Sequence, residues 1–284
     1  METTDQLLRT AVNAATAAGR AIMEVYEDPA QDFGIELKAD NSPLTRADRR
    51  ADSVIAAALA PTGIGILSEE SAHAPYDERR EWRRLWIVDP LDGTKEFIKR
   101  NGDFTVNIAL AEAGSPALGV VYAPATRELY WGARGIGAGK INNVEPGRSF
   151  ASAAEVRRES AALPCAAGGR PFTVVASRSH LSAETQACID SLRREHPGLA
   201  TAARGSSLKL CMVAEGLADV YPRFAPTMEW DTAAGQAVAE AAGCRVASAG
   251  DGRRLAYNKP DLHNPWFIVS REGAAPAPTE RQTV

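Results

Sequence analysis

Residues 85–110 read LWIVDPLDGTKEFIKRNGDFTVNIAL, and the fold is decided there. Leu85 to Val88 is a short apolar run with no polar face, the pattern of a strand buried on both sides. It runs directly into Asp89 and Asp92, which flank a proline turn. Beyond Phe104 the pattern changes to strand, turn, strand. Thr105 to Leu110, Ala117 to Tyr122 and Leu129 to Trp131 are joined by Gly114-Ser115-Pro116 and Ala123-Pro124-Ala125, which predicts an antiparallel meander.

On the N-terminal side, Leu8, Val12, Ala15, Ile22 and Tyr26 recur every three or four positions, predicting an amphipathic helix from Leu7 to Tyr26. Thr45 and Asp48 have the spacing of an N-cap and its N3 acid ahead of a second helix. Gly65 to Leu67 is another short apolar stretch running into acids. On the C-terminal side, Lys140 to Arg170 is polar and Ala/Gly-rich without periodicity, so a loop-rich segment and a domain boundary are expected there. The rest alternates: strand 172–176, helices 183–194 and 208–214, strand 220–221, helix 232–242 and strand 266–269. The expected class is α+β, with an antiparallel sheet in the N-terminal half and an α/β C-terminal half. The expected division is residues 1–165, residues 166–272, and a disordered tail over 273–284.

Composition narrows the class of function. The chain has 284 residues, 45% hydrophobic and 24% charged, which excludes fibrous and wholly disordered readings. A net charge of −4 argues against a nucleic-acid binder. Cys165, Cys188, Cys211 and Cys244 contain no C-x-x-C pair and are expected to be reduced core thiols. No apolar run approaches the roughly 20 residues needed to span a bilayer, and the N-terminus does not resemble a signal peptide. A cytoplasmic protein without membrane insertion is the expectation.

The informative residues are acids, in DNSPLTRAD (40–48), LSEES (67–71), DPLDGT (89–94) and EWDTAAG (229–235). Each has a plain structural reading. Asp48 could cap one helix, Asp231 could cap the helix beginning at Thr232, and Glu69 and Glu70 could be solvated. Taken together the readings change, because unpaired carboxylates crowded at a buried strand end repel one another. A divalent cation removes that cost, and an oxygen-only set points to Mg²⁺ or Mn²⁺ rather than zinc. Gly93 lets backbone N–H groups approach an anion at the start of a helix, and Thr94 adds a hydroxyl that can orient a water. A lone DG-[ST] is also ordinary turn chemistry.

The ordered set D-x-S-P-x-T-x-x-D (40–48), Ser68-Glu69-Glu70, Asp89-Pro90-Leu91-Asp92-Gly93-Thr94 and Trp230-Asp231-x-x-Ala234-Gly235 resembles the lithium-sensitive, magnesium-dependent phosphatases related to inositol monophosphatase. Within that superfamily, DPLDGTKEFIKRNGDFTVNIAL (89–110), GSSLK (205–209) and YPRF (221–224) are similar to the branch of bacterial 3′(2′),5′-bisphosphate nucleotidases. The resemblance covers roughly Leu7 to Ser270 and implies a layered α/β/α/β/α sandwich. It departs from the family at a longer stretch around 140–170 and at the tail, neither of which touches a motif.

The resemblance also implies roles. Glu69, Asp89 and the Leu91 carbonyl would hold one Mg²⁺. Asp89, Asp92 and Asp231 would hold a second. Asp48 and Thr94 would flank the attacking water, with a third, looser ion within reach of Glu70. Gly93 and Thr94 would contact the scissile phosphate, while Ser206, Lys209, Arg223 and His180 would face the second phosphate and the nucleotide. Glu69, Leu91, Asp92 and Asp231 would border the substrate as well. Two ions about 3.5–4 Å apart would clamp the attacking and leaving oxygens of an in-line displacement. The implied reaction is hydrolysis of 3′-phosphoadenosine 5′-phosphate to AMP and phosphate, clearing the by-product of sulfate activation. An inositol or sugar phosphatase with the same metal site is the alternative, against which Lys95-Glu96-Phe97-Ile98 and the Lys209/Arg223 pair speak. A non-catalytic sensor would require loss of an acid, and all are present. The expected partner is a small nucleotide. The oligomeric state is not fixed, with a monomer slightly favoured.

Overall fold

The computed structural model describes the chain except residues 1, 31–32, 39–41, 167, 177–181 and 275–284. The predicted first helix is α1 (Thr4–Tyr26), followed by a short ribbon of β1 (Glu36–Leu37) and β2 (Pro43–Leu44). Thr45 caps α2 (Arg46–Leu59) as its spacing predicts. Then come β3 (Gly65–Ser68), α3 (Tyr76–Arg79), β4 (Arg84–Asp92), α4 (Thr94–Ile98), β5 (Thr105–Glu112), β6 (Ser115–Ala123), β7 (Glu128–Ala133), β8 (Gly137–Ile141), α5 (Ala153–Glu159) and β9 (Ala161–Ala162). The second half holds β10 (Thr173–Ala176), α6 (Ala183–Glu195), β11 (Ala200–Ala203), α7 (Leu208–Glu215), β12 (Val220–Arg223), α8 (Glu229–Ala241), β13 (Arg245–Ser248) and β14 (Phe267–Ser270).

Strands β3 to β9 lie in chain order in a seven-stranded sheet. Only β3 and β4 run parallel in it, so the predicted meander is its centre. A five-stranded sheet has the order β11-β10-β12-β14-β13, with β10 parallel to both neighbours and β14 antiparallel to both of its own. One face of the large sheet, with Trp86, Val88, Ile108, Val120 and Tyr122, packs against Leu8, Val12, Ile22 and Ile55 of α1 and α2. Its other face, with Leu85, Ile87, Ala109 and Val121, shares a core with Leu210, Ala234 and Val238 of α7 and α8 and with Val246 and Val269 of the small sheet. Helix α6 covers the far face of the small sheet through Cys188, Ile189 and Leu192. The layers therefore run helix, sheet, helix, sheet, helix, the sandwich that the resemblance implies. Helix α8 presses so closely on the large sheet that a Cβ at Gly119 would stand 2.3 Å from the Ala234 carbonyl oxygen.

Three expectations need correction. Residues 140–170 are not only loop: they hold the end of β8, all of α5 and β9. Helix α5 is too short for periodicity to show, yet its cap was readable, because Glu155 N donates to Ser152 Oγ while Glu155 Oε2 accepts from Ala151 N. Helix α8 begins three residues before Thr232, so Asp231 lies inside its first turn rather than ahead of it. Of the cysteines, Cys188 and Cys211 are buried, Cys244 is half-buried and Cys165 is exposed, so not all are core thiols. Among the described residues no helix is long and apolar enough to cross a membrane. The expected tail lies largely outside the described residues.

Candidate active site

Strand β4 remains buried through Leu91 because its register against β5 shifts between Asp89, opposite Asn107, and Asp92, opposite Thr105. Pro90 sits in this irregularity, where a residue without an N–H is tolerated. Asp89 Oδ1 accepts from Leu91 N at 3.0 Å, closing the turn. Gly93 follows with φ +92° as the N-cap of α4, and a Cβ there would stand 3.1 Å from the Asp103 carbonyl oxygen. Because α4 has only five residues, it offers an anion a few free N–H groups rather than a long helix dipole.

The two readings of Asp48 turn out to be compatible. Its Oδ2 accepts from Thr45 N at 2.7 Å and from Thr45 Oγ1 at 2.5 Å, completing a capping box. Its Oδ1 accepts from Thr94 Oγ1 at 3.2 Å, and the same hydroxyl lies 3.3 Å from the Leu91 carbonyl oxygen. The cap thus fixes the carboxylate that faces Thr94. Asp231 is held in the same way, with Oδ2 accepting from Met228 N at 2.8 Å. Asn107, fully buried, donates to Ser207 Oγ at 2.9 Å, and Ser207 Oγ donates to the Asp231 carbonyl at 2.8 Å, tying β5, α7 and α8 together behind the acids.

Electrostatically the acids form one group. Burial pushes Asp89 well above the usual carboxylate range, and Glu69, Asp92, Asp231 and Asp48 push it further. Burial, with Asp92 and Glu69, lifts Asp231 to about 8. Burial also raises Asp48 and Glu69 and lifts Glu70 to about 7. A cation already stands at one edge. The Lys38 ammonium lies 2.7 Å from Glu69 Oε1 and 2.5 Å from Glu70 Oε1, and although burial alone would lower its pKa, these two carboxylates keep it raised. Among the described residues no group of acids or His converges closely enough to hold an ion as it stands. The donor chemistry nevertheless suits a hard divalent cation: the groups are all oxygen, and burial, reinforced at Asp89, Asp231, Glu69 and Glu70 by neighbouring carboxylates, disfavours their charge unless a cation is present.

Glu69, Asp92 and Asp231 line a cavity of about 560 Å³, and Ser206, Lys209, Arg223, Lys95, Lys99 and Arg204 line the same cavity. Lys209 is only 5% exposed, and its ammonium donates to the carbonyls of Ser206 at 2.6 Å and Arg204 at 3.3 Å. Burial, with Arg223 nearby, lowers its pKa to about 8 even though Asp92 opposes the shift. Arg223 donates from Nη2 to the Pro226 carbonyl at 3.1 Å, and its buried Nε has no hydrogen-bond partner among the described residues. His180 and Asp40 lie outside the described residues. Sequence reasoning missed Lys38, Asp103 and Arg204, whose contacts with the site come from chain-distant segments. It also missed Asn107, for which the pattern of a fully buried polar residue in an otherwise apolar strand was the available signal.

The inositol monophosphatase family matches residues 3–282. The "3′(2′),5′-bisphosphate nucleotidase CysQ" of Escherichia coli O157:H7 is 46% identical over 269 residues, covering 94% of this chain and 98% of the relative. The crystal structure of CysQ from Bacteroides thetaiotaomicron superposes with a TM-score of 0.88 at 50% identity, over 95% of this chain and 98% of that one. The extragenic suppressor protein suhB from Bartonella henselae follows at 0.70 and 26%, with 94% of each chain covered. The family match, the relatives and the layered fold agree, and the chain belongs to the inositol monophosphatase family.

Proposed function

We propose that this protein is a Mg²⁺-dependent 3′(2′),5′-bisphosphate nucleotidase that hydrolyses 3′-phosphoadenosine 5′-phosphate to AMP and phosphate. One observation carries the reading: a single cavity of about 560 Å³ is lined both by Glu69, Asp92 and Asp231 and by Lys209 and Arg223. A substrate with two phosphates suits a cavity that offers metal-binding acids and fixed cations together, and the relative at 46% identity bears the name of this activity.

Glu69, Asp89, the Leu91 carbonyl, Asp92 and Asp231 would hold the cations. When bound, Mg²⁺ supplies Lewis acidity, lowering the pKa of water and offsetting phosphate charge. The remaining work falls to the chain. Thr94 and Asp48, hydrogen-bonded at 3.2 Å, would orient a water beside the scissile phosphate and accept its proton. The turn at Gly93 would give that phosphate backbone N–H groups. Arg223 would grip the second phosphate as a fork, with the Lys209 charge beneath it and Ser206 alongside. Lys38 would release Glu69 when the cations arrive. In this reading the enzyme is a lithium-sensitive cytoplasmic hydrolase of sulfur metabolism. Its N-terminal residues 1–165 supply most ligands, and residues 166–272 supply Asp231 and the nucleotide contacts.

The test is phosphate release from purified protein given adenosine 3′,5′-bisphosphate, inositol 1-phosphate and fructose 1,6-bisphosphate, with Mg²⁺ and with chelator. Preference for the adenosine substrate, abolished by chelation, is expected. Preference for inositol 1-phosphate would replace this reading with the inositol phosphatase one.

A further inference from the structure

The Arg204–Ser206 turn, which lines the cavity, is held by a carboxylate that the chemistry above does not use. Asp103 is 6% exposed. Its Oδ2 accepts from Gly205 N at 3.0 Å, and its Oδ1 pairs with Arg204 Nε at 3.1 Å. A Cβ on Gly205 would stand 2.5 Å from the Asp103 carbonyl oxygen and 2.7 Å from its Cβ, so the two backbones meet at the closest approach that glycine allows. The next residue, Ser206, has φ +54°. A residue with a side chain holds that left-handed conformation only where its surroundings over-determine it.

Those surroundings are visible. Ser206 Oγ lies 2.5 Å from Thr105 Oγ1, and the Ser206 carbonyl accepts from the buried Lys209 ammonium. Arg204 extends the clamp inward. Its Nη2 lies 3.2 Å from Glu128 Oε2, Glu128 Oε1 pairs with Lys140 Nζ at 2.7 Å, and Lys140 Nζ reaches Glu215 Oε1 at 2.9 Å. The strained turn is thus the outer end of a largely buried chain of charges anchored in β7, β8 and α7. Asp103 also touches the Gly93 turn, because a Cβ on Gly93 would meet the Asp103 carbonyl oxygen at 3.1 Å and both Phe104 Cα and Ser206 Cβ at 3.4 Å, so the Gly93 and Ser206 turns stand side by side. One residue therefore fixes how far the Gly93 turn stands from the Ser206 turn.

We propose that Asp103 is a positioning residue that sets the register of the Ser206 turn against the Gly93 turn, and so determines the preference for substrates carrying two phosphates. The proposal rests on the nucleotidase reading. Asp103 touches no reacting group. It holds the Arg204–Ser206 turn in register so that both ends of a bisphosphate are met at once. Losing that register weakens a substrate that uses both turns and spares one that uses only the Gly93 turn.

The experiment compares steady-state kinetics of Asp103→Ala and Asp103→Asn on adenosine 3′,5′-bisphosphate and adenosine 3′-monophosphate, with melting temperatures and Mg²⁺ titrations alongside. Asp103→Ala is expected to raise KM for the bisphosphate about tenfold while kcat, the Mg²⁺ midpoint and KM for the monophosphate change less than about twofold. Asp103→Asn keeps an acceptor for Gly205 N and loses the charge facing Arg204, so about a threefold rise in the same KM alone is expected. This isosteric variant keeps the test decisive if the alanine variant does not fold. Equal KM increases on both substrates, a loss confined to kcat, or unchanged kinetics in the asparagine variant would overturn the proposal. If the wild-type protein released phosphate from neither adenosine compound, the nucleotidase reading would fail too, whereas normal wild-type turnover with non-selective variants removes only the role of Asp103.

Discussion

Lys38 Nζ stands 2.7 Å from Glu69 Oε1 and 2.5 Å from Glu70 Oε1, so one ammonium joins two carboxylates that would otherwise repel each other at the edge of a buried acidic cluster. In the proposed function Glu69 would hold a metal ion, and Lys38 is bonded to one of its carboxylate oxygens. Lys38→Gln should therefore destabilise the metal-free protein by about 0.5–1.5 kcal/mol, discounted for partial exposure. The same change should tighten Mg²⁺ binding, since the ion no longer displaces a charge. Melting in chelator and a Mg²⁺ titration by calorimetry measure both effects. A variant with weaker Mg²⁺ binding would show that Lys38 assists the ion rather than competing with it.

The acids impose a pH dependence whose sign follows from their direction of shift. Asp231 is raised to about 8, Glu70 to about 7, and Asp89 well above its ordinary range. Between about pH 4, where unfolded carboxylates titrate, and about pH 8, the folded chain holds more protons than the unfolded one. Stability contributed by these protonated acids is present at low pH and lost as pH rises through the folded values. Metal-free protein should melt at a lower temperature at pH 8 than at pH 5.5, and saturating Mg²⁺ should reduce or reverse that difference. Melting scans across this range with and without chelator check it, and a metal-free protein that gains stability toward pH 8 would contradict the shifts.

The parts of this site that were legible in the sequence are those with a local cause. Asp89 and Asp92 end an apolar strand, Thr45 and Asp48 are a cap and its N3 acid, and the Gly93 turn is written in adjacent residues. Lys38 and Asp103 were not legible because their partners lie 31 and 102 residues away, and nothing in IELK or NGDF marks a charge that will be buried against another segment. Asp231 was found as an acid but misplaced by a few residues. The start of α8 is fixed by Glu229, fully buried, accepting from Asn258 N at 2.6 Å and Lys259 N at 2.9 Å, a loop that chain order does not bring near.

Asp89→Asn should abolish most activity, since Asp89 lies at the centre of the acids and is the carboxylate on which the others act. It should not cost fold stability without metal. Burial and Glu69, Asp92, Asp231 and Asp48 all disfavour a charge at this position, so a neutral amide suits it, and the amide oxygen still accepts from Leu91 N. The expected signature is a metal-free melting temperature equal to or above the parent's, with a smaller rise on adding Mg²⁺. Loss of activity accompanied by a fall in metal-free stability would mean that the side chain is chiefly structural.

Arg223→Ala separates the second phosphate from the first. Arg223 lines the cavity, with one nitrogen on the Pro226 carbonyl and a buried Nε without a hydrogen-bond partner among the described residues. A forked, charge-assisted contact with the uncleaved phosphate would be made in ground and transition states alike, so its loss should appear in KM more than in kcat. The expected cost in kcat/KM for adenosine 3′,5′-bisphosphate is about 1.5–3 kcal/mol, with adenosine 3′-monophosphate nearly unaffected. Lys209 does not replace the missing grip, because its ammonium is already bonded to the Ser206 and Arg204 carbonyls. Equal losses on the two substrates would place Arg223 beside the cleaved phosphate instead, and the cavity would then fit a substrate with a single phosphate better than a bisphosphate.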